Sequence, residues 1–127
     1  CGKRDFIAAA HRWRKMLGGA MRQAGIVAAA GLHALEHHIE RLAEDHAHAA
    51  RLAAGLERHV VLRVQPTPTN MVFVNVPADV ALPLANHLAR EGVAITGTTR
   101  QRWVTHLDVA AEDVDAAIAA VDRFFAA

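Results

Sequence analysis

The spacing of apolar positions changes along the chain, and the change divides it. From Asp5 to about Leu17, Phe6, Ile7, Ala10, Trp13 and Leu17 recur at helical intervals, while Arg12, Arg14 and Lys15 fall on the other side. Asp5 suits the N-cap of this helix, and the cations near its end suit the helix dipole. Gly18-Gly19 then breaks the period. From Met21 to about Leu35 the residues are small or apolar on nearly every side, which predicts a helix buried in a large core or a subunit interface. Leu32, Leu35, Ile39, Leu42, His46, Ala49, Ala53 and Leu56 next alternate steps of three and four. They predict one long amphipathic helix, or two joined near His37-His38, with Glu40, Arg41, Glu44 and Asp45 on the solvated side.

The period shortens after Gly55. Val60–Val64 reads as a strand, and residues 65–70, with Pro66 and Pro68, as a turn that cannot be helical. Met71–Val76 is a strand by its β-branched content. Pro77-Ala78-Asp79 opens a helix that stops at Glu91-Gly92. Val93–Ile95 predicts a short strand, 96–99 a turn, and Arg102–His106 another strand. Ala111-Glu112-Asp113 opens a last helix with Val114, Ala117, Ile118, Val121, Phe124 and Phe125 as its apolar face. The order from about residue 58 is β, β, α, β, β, α. That places the chain in the α+β class: long helices, then a small, mainly antiparallel sheet covered by helices on one side.

Composition narrows the function more than the fold. A length of 127 residues suits one domain, or one domain and a piece of another. The balance of 14 Lys+Arg against 13 Asp+Glu gives no reason to expect nucleic acid or an anionic membrane as partner. No apolar run reaches the roughly 18–20 residues of a membrane span, and no signal-peptide layout is visible, so a cytoplasmic protein is expected. A single cysteine, Cys1, excludes an internal disulfide and a cysteine-based zinc site. The start at Cys-Gly reads as that of a fragment.

The candidate chemistry is sparse. There is no serine for a Ser-His-Asp hydrolase, and Cys1 has no defined partner. Of the nine histidines, His33 and His37 share a helix face, but most lie on different faces and no HExxH pattern occurs. No metal site is expected. His46 falls on the apolar seam and is expected to be a hydrogen-bonded core residue. The arginines are better leads. Arg22, after a Gly-Gly turn and at the opening of a helix, can join free backbone N–H groups in binding an anion such as a phosphate, or it can be a solvated corner. Arg100 and Arg102 fall on one face of a strand with Trp103 on the other. A guanidinium on a rigid strand can clamp a carboxylate, or it can be a surface cation at an edge.

Four blocks taken together resemble the low-specificity L-threonine aldolases. These are pyridoxal-phosphate enzymes of the aspartate-aminotransferase fold type. The blocks are Arg14-Lys15-Met16-Leu17-Gly18-Gly19-Ala20-Met21-Arg22-Gln23-Ala24-Gly25, Arg41-Leu42-Ala43-Glu44-Asp45-His46, Thr69-Asn70-Met71-Val72 and Arg102-Trp103-Val104-Thr105-His106-Leu107-Asp108-Val109, and Arg4-Asp5-Phe6-Ile7 matches as well. The resemblance implies that residues 1–30 end a large cofactor-binding domain and that 31–127 form a small C-terminal α+β domain. It implies Arg22 near the phosphate of pyridoxal 5'-phosphate, Lys15 reaching a neighbouring subunit's site, and Arg102 on the substrate carboxylate. No role passes to Arg100. One departure from the family is Ala20, where three consecutive glycines are common. The extra methyl penalises positive φ and puts the local turn geometry in question.

The activity so implied is retro-aldol cleavage of L-threonine, L-allo-threonine or a related β-hydroxy-α-amino acid into glycine and an aldehyde. A homodimer or homotetramer sharing sites across subunits is implied too. The lysine that carries the cofactor lies, in that family, just upstream of the residue matching Gly2. The chain alone is therefore expected to be inactive. Two other readings remain open at this point: another lyase or transferase of the same fold type, and a non-enzymatic module that self-associates through its alanine-rich helix.

Overall fold

The computed structural model describes residues 1–126. Its elements are α1 (Arg4–Met16), α2 (Gly25–His37), α3 (Leu42–Glu57), β1 (Arg63–Val64), β2 (Met71–Asn75), α4 (Ala78–Arg90), β3 (Arg100–Val104) and α5 (Ala111–Ala126). They form two compact units, Cys1–Ile39 and Glu40–Ala127. The α+β class is as expected. Among the described residues no helix is long and apolar enough to cross a membrane.

In the first unit, α1 begins at Arg4, so Asp5 lies inside its first turn rather than at the N-cap; that position belongs to Lys3, which makes no side-chain cap bond. The carboxylate still faces the positive end of the helix dipole. At the other end Gly18 takes φ +81°. Its amide donates to the Lys15 carbonyl at 3.2 Å, and the Gly19 amide donates to that of Arg14 at 2.8 Å. These paired bonds are a Schellman stop, and the left-handed residue they require is most readily a glycine. Helix α2 starts at Gly25, four residues later than its composition suggests, because 22–24 form a turn and the Ala28 amide bonds to Ala24. Neither helix has a buried residue. The burial expected for α2 is therefore not supplied within the first unit, where Ile26 is 76% and Leu35 66% exposed.

The long heptad-like run resolves into two helices, with the break at 38–41. The break rephases the second helix. The buried face of α3 is Asp45, Ala49, Leu52, Ala53, Gly55 and Leu56. His46, expected in the core, is exposed, and Asp45, expected in solvent, is 3% exposed.

In the second unit the strands lie in the order β1-β2-β3, all antiparallel. Strand β1 starts three residues later than predicted. Leaving α3, the chain first turns, with the Leu62 amide on the His59 carbonyl at 2.8 Å, and Val60 stands 98% exposed. Val93–Ile95 is not a strand either. Gly92, at φ +83°, is a second Schellman stop, and the Val93 amide is held by Leu88 at 2.8 Å. Val93 and Ile95 instead pack against the core from an irregular segment. Strand β3 runs from Arg100 rather than Arg102, so the order is β, β, α, β, α.

Helices α3 and α4 flank α5, and α3 lies on β1 and β2. The core joins Leu52 and Leu56 of α3, Val72 and Val74 of β2, Leu84 and Leu88 of α4, Trp103 of β3, and Val114 and Val121 of α5. One polar pair is buried with it. The Trp103 indole N–H donates to Oε1 of Gln101 at 3.0 Å, and Gln101 Nε2 donates to the Thr98 carbonyl at 3.2 Å. At the surface Arg123 bonds Glu91 at 2.7 Å, and this bond and charge hold the Glu91 carboxyl below its ordinary range. Exposed pairs also tie α3 and its C-terminal cap to α5, Arg51 to Asp115 and Arg58 to Asp122, but pairs in solvent contribute little. Close packing decides this contact. A Cβ on Gly55 would lie 2.7 Å from two side-chain carbons of Ile118.

Gly55→Ala sets a helix-propensity gain of up to about 1 kcal/mol against an overpacking cost of about 1–3 kcal/mol. Net destabilisation is expected in denaturant unfolding, and Gly55→Ala/Ile118→Ala, which removes all three clashing carbons, should lose less than the sum of the two single changes. Gln101→Leu leaves the buried Trp103 N–H without its acceptor and is expected to cost about 1–3 kcal/mol. Adding Trp103→Phe should restore part of that stability in the same measurement.

Candidate functional site

A strand turns successive side chains to opposite faces. In β3 this buries Gln101 and Trp103 under the helices and leaves Arg100, Arg102 and Val104 exposed. The pairing register sets Trp103 opposite Val72 on the covered face and Arg102 opposite Phe73 on the other. Arg100 and Arg102 therefore share the face expected of them. Arg102 lines two cavities. One, of about 750 Å³, runs past Trp103–His106, the segment 91–96 and the start of α5. The other, of about 380 Å³, is formed with Phe73, Thr96, Thr98, Arg100 and Gln101.

Among the described residues neither Arg100 nor Arg102 makes a side-chain hydrogen bond or ion pair, whereas Arg41, Arg51, Arg58 and Arg123 all meet carboxylates. A free guanidinium on a strand keeps its planar fork for a ligand carboxylate. Its backbone is anchored from the covered face by the Gln101–Trp103 bond, since those two residues flank Arg102 directly.

The end of β3 is fastened separately. The Thr105 amide donates to the Asn70 carbonyl at 3.0 Å, and Asn70 Nδ2 donates to the Thr105 carbonyl at 2.7 Å. The Thr105 hydroxyl donates to the Asp45 carbonyl at 2.7 Å. Asp45 in turn receives both terminal nitrogens of Arg41, at 3.0 and 3.1 Å. All four residues lie in the blocks named from the sequence, but no role was read for any of them. The four-residue spacing of Arg41 and Asp45 was a readable signal for their pairing, but nothing local marks Thr105 as the point where a strand meets a helix.

Lys15 and Arg22 belong to the first unit and Arg102 to the second. Lys15 lies in the last turn of α1, just before the Gly18 stop, and Arg22 lies in the turn before α2 rather than in the helix. Both are exposed, and among the described residues neither is paired with a carboxylate. Each is thus a cation without an intrachain partner among those residues, a kind of side chain that suits an anionic group such as a phosphate. Among the described residues no group of three or more His, Cys, Asp or Glu side chains is arranged to hold a metal ion. His33, His37 and His38 do cluster, with ring centroids 4.5 and 5.3 Å from that of His33.

Comparison with known proteins agrees with the resemblance read from the four blocks. The chain is 46% identical to the low specificity L-threonine aldolase of Escherichia coli (strain K12), over 99% of this chain and 37% of that protein. It is 36% identical to a probable low-specificity L-threonine aldolase 2 of Arabidopsis thaliana, over 98% of this chain and 37% of that one. A probable low-specificity L-threonine aldolase of Schizosaccharomyces pombe is 35% identical over 90% of the chain and 29% of its own length. The chain thus spans about a third of the length of these curated relatives. A family model described as beta-eliminating lyase matches residues 1–79, more than half of the sequence, and the chain belongs to that family.

Proposed function

We propose that this chain is the carboxylate-clamping part of a threonine-aldolase-like enzyme that cleaves β-hydroxy-α-amino acids into glycine and an aldehyde. The observation that carries this is Arg102: an unpaired guanidinium on an anchored strand, bordering two cavities, in a chain similar to threonine aldolases over nearly its whole length. In this reading residues 1–30 close a larger cofactor domain and residues 31–127 form the small one. The lysine that carries the cofactor comes from outside the chain, which alone is then inactive. The exposed apolar surface of α2, with Ile26, Val27, Leu32 and Leu35, supports its burial in a larger body, as in a cytoplasmic homodimer or homotetramer.

Pyridoxal 5'-phosphate, when bound, supplies the sink for the electron pair released as the Cα–Cβ bond breaks. The residues of this chain do the binding and orienting. Arg22 offers a permanent cation to the phosphate, and Lys15 reaches the site of a neighbouring subunit. Arg102 takes both oxygens of the amino-acid carboxylate, so the substrate can rotate little about its Cα–N bond. That orientation selects which Cα bond is cleaved. Another lyase or transferase of this fold type would use the same clamp, but the named relatives favour the aldolase reading.

In the intact protein, Arg102→Ala is expected to raise KM for threonine and to lower kcat/KM about ten- to a hundredfold, the loss expected for charged hydrogen bonds. Steady-state kinetics with L-threonine check this, and unchanged constants would remove Arg102 from the site. Arg22→Ala is expected to weaken cofactor retention severalfold, read by absorbance after dialysis. Its carboxylate affinity should change less than that of Arg102→Ala.

A further inference from the structure

Arg102 needs more than exposure to serve as a clamp; its strand must be held at a fixed angle. Strand β3 is the edge of the sheet, hydrogen-bonded to β2 on one side only. The regular ladder ends where Val104 faces Met71. Beyond it the chain leaves the sheet through the exposed residues His106, Leu107 and Asp108. On the β2 side, the preceding segment contains Pro66 and Pro68, which have no N–H to extend the ladder.

Asn70 and Thr105 close that end. The Asn70 side chain supplies the donor for the Thr105 carbonyl, at 2.7 Å, and so adds a bond beyond the last regular pair. The Thr105 hydroxyl, in a residue 2% exposed, crosses to the Asp45 carbonyl of α3. That carbonyl is a fixed target because Arg41 grips the Asp45 carboxylate with two bonds from the turn before the helix. Helix, loop and strand thus meet at one buried point three residues from Arg102, about 10 Å along the strand. Thr105 is buried, and Asn70 spends its amide on the Thr105 carbonyl. Their effect on a ligand must pass through the strand.

On the reading that Arg102 holds the substrate carboxylate, we propose that Thr105 and Asn70 are positioning residues that set the angle of β3 and thereby of the Arg102 guanidinium. The clasp sits where an edge strand would otherwise fray. A displacement of about 1 Å at a binding group can cost on the order of a hundredfold in rate, so a small movement of this end is felt at the clamp.

The test compares Thr105→Val, Thr105→Ser, Asn70→Ala and Arg102→Ala in the cofactor-loaded protein. Each is measured for L-threonine kinetics, glycine affinity by cofactor absorbance, and thermal unfolding. Thr105→Val is expected to raise KM for threonine and weaken glycine binding by roughly tenfold. Its kcat should fall too, but by less than kcat/KM, because the clamp both binds the substrate and orients the bond that is cleaved. Thr105→Ser, which keeps the hydroxyl, should recover wild-type values. Should Thr105→Val not fold, Asn70→Ala, which removes one side-chain bond, is expected to give the same split. A lowered melting temperature with wild-type KM and glycine affinity would overturn the proposal and leave the clasp a structural fastening. Wild-type constants in Arg102→Ala would overturn the clamp itself, and the positioning role with it. A raised KM in Arg102→Ala beside unchanged constants in Thr105→Val and Asn70→Ala would overturn the positioning role alone.

Discussion

The second unit depends on the register between β2 and β3. Because the side-chain period of a strand is two, sliding β3 by one residue would exchange its faces. The guanidinium groups of Arg100 and Arg102 would enter the apolar core, and Trp103 would go to solvent. Burying an unpaired charge is far more costly than leaving it in water. The pairs Val72–Trp103 and Phe73–Arg102 are therefore specified together, the first by burial and the second as its consequence. Arg102 is exposed because its neighbours cannot be.

The helices above the sheet are arranged to keep that register. Helix α5 approaches α3 closely enough that Gly55 has no room for a methyl group beside Ile118. Trp103 fills the space beneath and has its indole N–H satisfied by Gln101, so a large ring is buried without an orphan donor. Two glycine stops make the connections. Gly18 and Gly92 close their helices with the same pair of bonds, yet the chain continues differently after each. After Gly92 it carries Val93 and Ile95 into the core on the way to β3, and after Gly18 it turns past Arg22 into α2.

Much of this was legible in the sequence because period and punctuation are local. The helix and strand classes, the Gly92 stop, the sheet covered on one side and the shared face of Arg100 and Arg102 all follow from spacing within a few residues. What failed depended on phase or on distant partners. A four-residue break at 38–41 moved the seam of α3, so Asp45 went inside and His46 outside, although both fitted the heptad pattern as written. Val93–Ile95 has strand composition, but a strand exists only where a neighbour accepts its hydrogen bonds, and here Leu88 takes the first amide. An anion-binding role for Arg22 and a reach-across role for Lys15 were proposed from the sequence, whereas the fastening at Thr105 joins positions 45, 70 and 105 and has no local signature.

The distribution of arginines separates structural from available charge, but availability alone is a weak criterion. Among the described residues Arg63 and Arg90 are also without a side-chain carboxylate partner, and neither lines a cavity described above. A solvated arginine must give up side-chain freedom to grip a ligand, and that entropy offsets the bonds it makes. Arg102 differs in bordering two cavities from a strand that is already ordered. Gln101 and Trp103 hold its backbone from the buried face, β2 pairs with it residue by residue, and the Asn70–Thr105–Asp45 contact closes the strand end. Those interactions are formed on folding, before any ligand arrives. A carboxylate meeting Arg102 would need only to fix the side chain, and that lowered ordering cost, together with the cavities beside it, is what makes Arg102 rather than Arg63 or Arg90 the proposed clamp.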